Sequence, residues 1–372
     1  MAMMRPHDVP MVGIVRAQAE EVRLWLRRDG ALLAGASPQA DGERVWLPLT
    51  EEAAAAIDEG SLRIQGPVER RAVRFHRQQG SYRDLLQDLP VEQQEQLPVS
   101  YDLLGTIALV KVPEELEPLG QRIGDALHRQ HPRLTAVFHD GGVHGPFRIR
   151  SLEALWGDGR SATVIHEHGA TLRIDPAVAY FSPRRSTERQ HVAAELSTVS
   201  GTLVDLTCGV GPSLVAIARA SVVSKRLIGV DYNPAAVALA RRNLATATSS
   251  LPPGQVAWEV HQGDSTLILP ALPIPQVVLI NHPTDPGPLL HAALRDHSVR
   301  AAGRPLRVVV YHLGDNGAPP RQWLEGALAA AGCTPSAVGW RQLHAYSPST
   351  CLWGATLAFG AIAAAEEEPG RP

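Results

Sequence analysis

Lysine, cysteine and long apolar stretches are scarce in this chain of 372 residues. Its three cysteines, Cys208, Cys333 and Cys351, are far apart in the sequence and odd in number. That pattern argues against a disulfide framework and against a zinc site, so no metal is expected. Scattered thiols of this kind are typical of a reducing compartment, and we expect a cytoplasmic protein.

No apolar run reaches the ~18 residues of a membrane-spanning helix. The N-terminal MAMMRPHDVP has no apolar stretch of the kind that secretory signals carry, so no membrane association is expected. Only Lys111 and Lys225 are lysines and the formal net charge is -3, so bulk charge does not indicate a nucleic-acid binder. Arginine can still pair with phosphates and stack on bases. The sequence does not determine the oligomeric state, with a monomer slightly favoured.

Changes in residue pattern divide the chain into five segments, in line with the two or three domains that its length suggests. Residues 1–67 predict a small N-terminal α+β module with short strands and one amphipathic helix. Residues 68–97 are rich in Arg and Gln and predict a linker with one short helix. Residues 98–196 predict a middle α+β domain. Residues 197–362 predict a catalytic domain, and residues 363–372 a flexible tail.

The catalytic segment alternates short apolar strands with helices. The predicted strands are LVDLTC, RLIGVDY, VAWEVHQ, QVVLIN, LRVVVYHL and TLAFG, and helices such as PAAVALARRNLA lie between several of them. This alternation is typical of a parallel, doubly wound sheet. The predicted fold class is therefore α/β, with a Rossmann-like doubly wound sheet preceded by two smaller α+β domains.

The most informative motif is VDLTCGVGP, in which a predicted buried strand ends in Asp205 and a glycine-rich turn leads into a helix. Glycines in such a turn let the backbone approach a ligand closely. The turn lacks the third glycine of the GxGxxG dinucleotide fingerprint. It resembles motif I of class I S-adenosylmethionine (SAM) methyltransferases, which implies that Asp205, Cys208, Gly209 and Gly211 bind SAM. An NAD-type Rossmann domain with incidental glycines is the alternative.

Acidic residues also follow the next two predicted strands. Asp231 ends the second strand about twenty residues after the glycine turn, where a carboxylate can accept hydrogen bonds from both ribose hydroxyls. Tyr232 follows it directly. Asp264, in the Gly-Asp-Ser turn after the third strand, resembles the acid that contacts the adenine amino group in SAM enzymes. We therefore predict that all three residues bind the cofactor.

Two further motifs suggest the reaction. Asn281 and Pro283 end the fourth strand in an Asn-x-Pro turn that resembles motif IV of amino-directed methyltransferases. Upstream stands YFSPRRSTER, an example of the pattern SPRxSxER. With SYDLLGTIALVKVPEELEPLGQRIGDAL, GPFRIRSLEALWG and HAYSPST, these motifs resemble the archaeal and eukaryotic tRNA position-37 guanine N1-methyltransferase family, the Met-10+ group. The resemblance extends over nearly the whole chain.

This resemblance implies that SAM is the methyl donor and that a guanine of tRNA is the acceptor. By position, Glu188 would be the general base, Arg148 would face the guanine O6, and Asn281 with Pro283 would help to hold the base. These residue types suit the chemistry. Guanine N1 carries a proton that a carboxylate can remove, and the charge left on O6 can be stabilised by an arginine.

Each of these residues also has a purely structural interpretation. Glu188 with Arg189 could be an ion pair at the surface end of a helix, Arg148 with Arg150 could form the solvent face of a strand, and Asn281 could cap a turn. The function has alternatives as well: transfer of the 3-amino-3-carboxypropyl group of SAM, as in the wybutosine pathway, a SAM-dependent transferase acting on a small-molecule acceptor, or a non-catalytic tRNA-binding protein.

Overall fold

The structure is a computed structural model that describes residues 7–33, 36–62, 64–73, 81–301, 303–345, 347 and 349–360. The chain divides into two compact units, Met1–Ser81 and Tyr82–Pro372. The predicted tail, residues 363–372, and two residues of the HAYSPST motif, at positions 346 and 348, lie outside the described residues. No helix among the described residues is long and apolar enough to cross a membrane.

The first unit is a small sheet with two helices. Its elements are β1 (His7–Val15), α1 (Ala19–Arg28), β2 (Gln39–Asp41), β3 (Arg44–Pro48), α2 (Glu51–Asp58) and β4 (Val68–Val73). The strands lie in the order β2-β3-β1-β4, and every neighbouring pair is antiparallel. Helix α2 begins where the Thr50 hydroxyl accepts a hydrogen bond from the Ala53 amide, which satisfies one of the free donors of a helix start.

The second unit starts with a four-stranded sheet in the order β5-β6-β7-β8. Only the central pair, β6 and β7, is parallel. The elements of this region are a 3-10 helix at Tyr82–Leu86, α3 (Val91–Gln96), β5 (Tyr101–Leu104), β6 (Ile107–Val110), a 3-10 helix at Glu114–Leu119, α4 (Gly120–Gln130), β7 (Ala136–His144) and β8 (Ile149–Gly157).

The prediction of a linker over residues 68–97 is wrong for the residues described there. Val68–Val73 is strand β4 of the first unit. Tyr82, Leu86 and Leu97 are buried in the core that α4 and the sheet β5–β8 form. Residues 81–97 contain few apolar side chains, but Tyr82, Leu86, Leu89 and Leu97 among them are buried in this core. The composition of the segment resembles that of a linker even though its large side chains pack as a core does.

A hairpin follows, made of β9 (Thr163–Glu167) and β10 (Ala170–Ile174). Its two-residue turn has positive φ at His168 (45°) and Gly169 (77°), the combination that matches the twist of a hairpin. The hairpin was assigned to the middle domain, and Ile165 and Leu172 lie in a core that residues of β5–β7 share with the large sheet. It therefore packs against the helices Pro212–Ala220 and Pro234–Thr248 of the predicted catalytic domain as well as against the middle domain.

The remaining elements form a seven-stranded sheet flanked by helices. They are α5 (Ser186–Glu195), β11 (Gly201–Asp205), α6 (Pro212–Ala220), β12 (Lys225–Asp231), α7 (Pro234–Thr248), β13 (Val256–Gln262), α8 (Ser265–Ile268), β14 (Val277–Ile280), α9 (Gly287–Arg300), β15 (Leu306–Asp315), α10 (Arg321–Ala331), β16 (Ala337–Ala345) and β17 (Thr350–Phe359). The strand order is β13-β12-β11-β14-β15-β17-β16.

Alternating side chains of the buried strands serve two cores. Leu203 and Leu227 pack with the core that includes α6 and α7, whereas Val204 and Ile228 pack with α9 and α10 on the other face. Successive residues of a strand point to opposite faces, so strands covered on both sides are apolar throughout. The predicted doubly wound α/β fold is confirmed, with one correction. Only β11–β15 are parallel, because β17 runs antiparallel to β15 and β16 antiparallel to β17.

Candidate active site

The carboxyl ends of the parallel strands open into a cleft of about 330 Å³. Ligands of doubly wound sheets bind at this edge, where the loops that follow the strands leave a crevice. Six of the residues predicted from the sequence line the cleft together: Arg148, Gly209, Asp231, Tyr232, Asp264 and Asn281. They come from five different loops, so the fold brings together motifs that are far apart in the sequence.

The glycine-rich turn after β11 forms one wall of the cleft. Gly209 and Gly211 have positive φ angles of 54° and 80°. Residues other than glycine adopt such backbone conformations only at a cost in free energy. Thr207 connects this turn to motif IV, because its Oγ1 accepts a hydrogen bond of 2.8 Å from the Asn281 amide. The two loops are therefore held in register by a side chain that the sequence analysis did not single out.

Asp205 lies beneath this turn and is only 1% exposed. Its Oδ1 accepts a hydrogen bond from the Thr207 amide at 3.1 Å, whereas Oδ2 has no partner among the described residues. Burial raises the pKa of this carboxyl to about 7, against the opposing effect of the Thr207 hydrogen bond. Asp205 does not line the cleft, so it supports the turn rather than presenting its carboxylate to a ligand there.

Cys208 and Gly211 were predicted to bind the cofactor, but neither lines the cleft. The Cys208 side chain is buried against Gly229, where an added Cβ would lie 2.9 Å from the sulfur. Burial raises the pKa of the Cys208 thiol. Gly211 precedes α6 and lies against Ala240 of α7, where an added Cβ would come within 3.2 Å. Both residues therefore allow close packing around the turn.

Asp231 faces the cleft from the end of β12 with both carboxylate oxygens held. Oδ2 accepts from the Gly209 amide at 2.7 Å and Oδ1 from the Asn233 amide at 2.9 Å. Burial raises the pKa of Asp231, and these two hydrogen bonds oppose the rise. A carboxylate has about four lone-pair positions, so Asp231 keeps acceptor capacity for a ligand after these two bonds.

Tyr232 and Asp264 stand on neighbouring parts of the cleft. The Tyr232 side chain is 61% exposed, and its ring centre lies 5.8 Å from that of Phe147. Asp264 caps α8, with Oδ1 accepting from the Thr266 amide at 2.8 Å and from its hydroxyl at 2.7 Å. These Thr266 hydrogen bonds lower the pKa of Asp264. An aromatic surface and an ionised carboxylate suit the two parts of a purine nucleoside.

Arg148 stands at a different place from the one predicted. It lies in the turn just before β8 with a φ of 52°, not within the strand. Its guanidinium carbon is 5.4 Å from the centre of the Tyr180 ring. Arg148 and Tyr180 line both the cleft and a side cavity of about 360 Å³ that also includes Lys111, Arg150, Arg184 and His344. Arg148 therefore stands between two adjoining spaces.

The side cavity carries an excess of positive charge. Arg150 is not solvent-facing, because it pairs with Asp140 and lies 3.7 Å from Asp102. Arg184 contacts the same Asp102 at 3.2 Å. These carboxylates offset two of the cations, and Lys111 has no charged partner among the residues that the structure describes. The wall of the cavity is thus suited to a ligand that carries negative charge.

Glu188 is buried in α5 at 7% exposure, so the interpretation as a surface pair with Arg189 is wrong. Arg189 pairs instead with Glu167 at 2.5 Å. The carboxylate of Glu188 accepts a hydrogen bond of 3.0 Å from the Tyr311 hydroxyl and two from Arg341, at 2.9 and 3.2 Å. Glu188 lines neither the cleft nor the side cavity.

Arg185, whose role the sequence did not reveal, contacts both Asn281 of the cleft and Tyr311, a hydrogen-bond partner of Glu188. Its Nη1 donates to the Oδ1 of Asn281, and its guanidinium carbon lies 4.1 Å from the centre of the Tyr311 ring. Burial raises the pKa of Tyr311, so its hydroxyl remains a donor to Glu188. Pro283 does not line the cleft; its carbonyl accepts from the Leu313 amide at 3.2 Å.

Among the described residues, no group of three or more His, Cys, Asp or Glu side chains could hold a metal ion. The cleft instead offers groups that suit a purine nucleoside. They are a carboxylate at a strand end, an exposed aromatic ring and a second carboxylate. Beside them stand an arginine and an asparagine at the entrance to a cationic cavity. This arrangement can bind a nucleoside-containing cofactor and place a second ligand next to it.

Two family models match consecutive parts of the second unit. Residues 82–160 match the TYW2 N-terminal domain, and residues 163–250 match the TRM5/TYW2 methyltransferase domain. The boundary at 163 coincides with the start of β9, which agrees with the packing of the hairpin. These two parts of the chain are therefore similar, in this order, to a TYW2 N-terminal domain and a TRM5/TYW2 methyltransferase domain.

Relatives with known names are similar over part of the chain. The tRNA (guanine(37)-N(1))-methyltransferase Trm5b of Pyrococcus abyssi is 32% identical over 178 residues, 48% of this chain and 52% of that protein. The chain thus spans about half the length of this curated relative in the sequence match.

Solved structures are similar over a longer stretch. The crystal structure of P. abyssi Trm5b has a TM-score of 0.63 at 23% identity and covers 95% of this chain and 100% of that one. The complex of aTrm5 with tRNALeu has a TM-score of 0.62 at 22% identity, over 94% of this chain and 99% of that one. These similarities show a fold of the class I SAM methyltransferase type.

Proposed function

We propose that the protein transfers the methyl group of SAM to N1 of guanine at position 37 of tRNA. The observation that carries this proposal is the cleft itself, where motif residues from five loops meet beside a cationic side cavity. The similarity to tRNA (guanine(37)-N(1))-methyltransferases supports the choice of acceptor. All three cysteines are free thiols, which suits action in a reducing compartment such as the cytoplasm.

In this proposal SAM occupies the cleft. Asp231 accepts hydrogen bonds from the ribose hydroxyls with the lone pairs that Gly209 and Asn233 leave unused. The adenine lies by the Tyr232 ring, and Asp264 accepts from its amino group. The sulfonium methyl needs no further activation, so the protein must mainly aim it at the nucleophile.

The acceptor base enters from the side cavity. Arg148 and Tyr180, which line both spaces, are placed to meet it. A guanidinium beside guanine O6 stabilises the negative charge that develops there as N1 loses its proton. Lys111 is available to the phosphate groups that accompany the base, and the net charge of -3 makes such a local concentration of cations necessary for RNA binding.

Glu188 is the proposed proton acceptor. Its carboxylate is held by Tyr311 and Arg341, so one of these contacts must give way as the base arrives. Glu188→Gln keeps the size and hydrogen-bonding capacity of the side chain but is a much weaker base. We expect this variant to bind SAM normally and to transfer methyl about 100-fold more slowly in single-turnover assays. A wild-type rate in this variant would place the base elsewhere.

The proposal is tested by incubating the protein with SAM and an unmodified tRNA transcript that has guanosine at position 37, followed by nucleoside mass analysis. We expect N1-methylguanosine from this transcript and no product from a matched transcript with adenosine at that position. Absence of any modified nucleoside would overturn the proposal and would favour a small-molecule acceptor.

A second candidate is transfer of the 3-amino-3-carboxypropyl group of SAM to the tRNA. The match of residues 82–160 to the TYW2 N-terminal domain favours it. This reaction uses another carbon of the same sulfonium, so a site that binds SAM serves both reactions. The mass of the modified nucleoside distinguishes them, because the aminocarboxypropyl group is much heavier than methyl.

A further inference from the structure

The pattern SPRxSxER leaves one position open between its arginine and its second serine, and in this chain that position is Arg185. The side chain is partly buried and contacts the motif IV loop. Nη1 donates to Asn281 Oδ1, and Nε is buried without a partner among the described residues. No described carboxylate pairs with Arg185, so this cation is held by a neutral amide and an aromatic ring.

The contact determines how the Asn281 side chain is oriented. A guanidinium is a donor only, so the atom that faces it must be the amide oxygen. The backbone amide of Asn281 is also engaged, by Thr207 Oγ1. Asn281 lines the cleft, and no described residue accepts from its Nδ2. The amide NH2 is therefore the end of this side chain that remains available to a ligand.

We propose that Arg185 is a positioning residue that makes Asn281 a hydrogen-bond donor towards the acceptor base. A donor at this point matches a base whose reacting ring nitrogen stands next to a carbonyl oxygen. It does not match an exocyclic amino group, which would need the amide oxygen that Arg185 occupies. This inference rests on the proposed function and narrows it to a carbonyl-bearing base, such as guanine attacked at a ring nitrogen.

Arg185 also connects Asn281 with the proposed base. Its guanidinium stacks on Tyr311, and the Tyr311 hydroxyl donates to Glu188. Loss of the guanidinium would release both neighbours at once: the Asn281 amide could rotate, and the Tyr311 ring would lose its cation. The effect should fall on the rate of transfer, because Arg185 itself lines neither the cleft nor the side cavity.

The test is a double-mutant cycle on the rate of methyl transfer. Arg185→Leu should lower kcat about tenfold, the size of one charge-assisted hydrogen bond. The KM for tRNA and the Kd for SAM should stay within about twofold of wild type. Arg185→Lys keeps one donor and should restore part of the rate. In an Asn281→Ala background, Arg185→Leu should cost much less rate than in the wild type, because no amide is left to orient and only the Tyr311 contact is lost.

Arg226→Leu is the matched control, since Arg226 is exposed at the opposite end of β12 and, among the described residues, pairs with Glu259 alone. It should leave kcat unchanged. A wild-type kcat in Arg185→Leu would overturn the proposal, as would an equal loss in the wild-type and Asn281→Ala backgrounds. If Arg185→Leu does not fold, the same cycle with Arg185→Lys decides between these outcomes.

The hydrogen bond between Arg185 and Asn281 can also be tested without tRNA, by thermal unfolding. The falls in thermal midpoint caused by Arg185→Leu and Asn281→Ala should not add, because either change removes the same hydrogen bond. Additive losses would overturn the inference whether or not tRNA is modified. A wild-type protein that modifies no tRNA but shows this coupling would instead contradict the proposed function and leave the orientation of Asn281 supported.

Discussion

Asp205 is a carboxyl group in an unusual position, because it is buried with one oxygen unpaired. Its pKa is raised by burial from an ordinary 3.8 to about 7. The folded state therefore binds this proton more tightly than the unfolded state does. The corresponding stability is fully present below about pH 4 and is lost as the pH rises through about 7.

We predict that Asp205→Asn removes this pH dependence. Asn keeps an oxygen for the Thr207 amide but never carries the buried charge. Relative to wild type, the variant should gain about 2.5 kcal/mol of unfolding free energy between pH 5 and pH 8, since the stability linked to the protonation of wild-type Asp205 is lost over about two pH units of that range. Urea unfolding at both pH values measures this difference. Asp264→Asn is the control: the Thr266 hydrogen bonds lower the pKa of Asp264, so its contribution is lost only as the pH falls below about 4.

Asp231 is the residue on which SAM affinity should depend most. Hydrogen bonds to a charged group contribute about 1.5–3 kcal/mol each, so loss of the ribose contacts should weaken binding by at least about tenfold. We expect Asp231→Ala to show this loss in titration calorimetry. Asp231→Asn keeps an oxygen for the Gly209 amide and separates the ribose contacts from the support of the turn. Unchanged affinity in both variants would contradict the ribose assignment.

Among the elements, strand β16 is tied to helix α5 by Arg341, which pairs with the buried Glu188 at 2.9 Å and with the more exposed Glu195 at 3.4 Å. The Glu188 side chain is 6% exposed and that of Arg341 is 30% exposed. Removal of Arg341 leaves the buried Glu188 carboxylate without a cation, which costs more than the pair itself contributes. The Arg341–Glu188 pair therefore has two roles. It holds the proposed base in place, and it attaches the edge strand β16 to α5.

We predict that Arg341→Ala lowers the free energy of unfolding by about 3 kcal/mol. The double variant with Glu188→Gln should recover part of that loss, because no buried charge remains. Denaturant unfolding of the two single variants and the double variant measures both effects. Arg129→Ala is the control, since its pair with Asp125 is exposed and should contribute less than about 1 kcal/mol. Strict additivity would argue against the pair.

At the scale of the whole molecule, the sequence predicted what depends on local pattern. Strands covered on both faces are apolar throughout, so β11, β12 and β14 were recognisable as strands. Strand β16 was missed because most of its residues are exposed or only half-buried, which leaves no continuous apolar run. The linker prediction failed because the core residues of Tyr82–Leu97 are few and scattered.

The residues of the candidate site also differ in whether the sequence alone could predict them. Asp231, Asp264 and Asn281 were predictable because each follows a strand, and the ends of parallel strands meet at one edge of a sheet. Tyr311 and Arg341 were not, because they reach Glu188 from 123 and 153 residues away in the sequence. Arg185 lay within a recognised motif, but only the fold shows what it contacts.

The two compact units have separate cores, and this leads to the last prediction. The buried clusters of the first unit contain only residues up to Val73, and those of the second begin at Tyr82. Every residue that lines the cleft lies between Pro146 and Leu289. A chain that begins at Ser81 should therefore fold cooperatively and bind SAM within about twofold of the full chain, because independent units make additive contributions. Thermal unfolding and titration calorimetry on the shortened and full chains measure this. A shortened chain that unfolds without a cooperative transition, or that binds SAM much more weakly, would mean that the second unit needs the first.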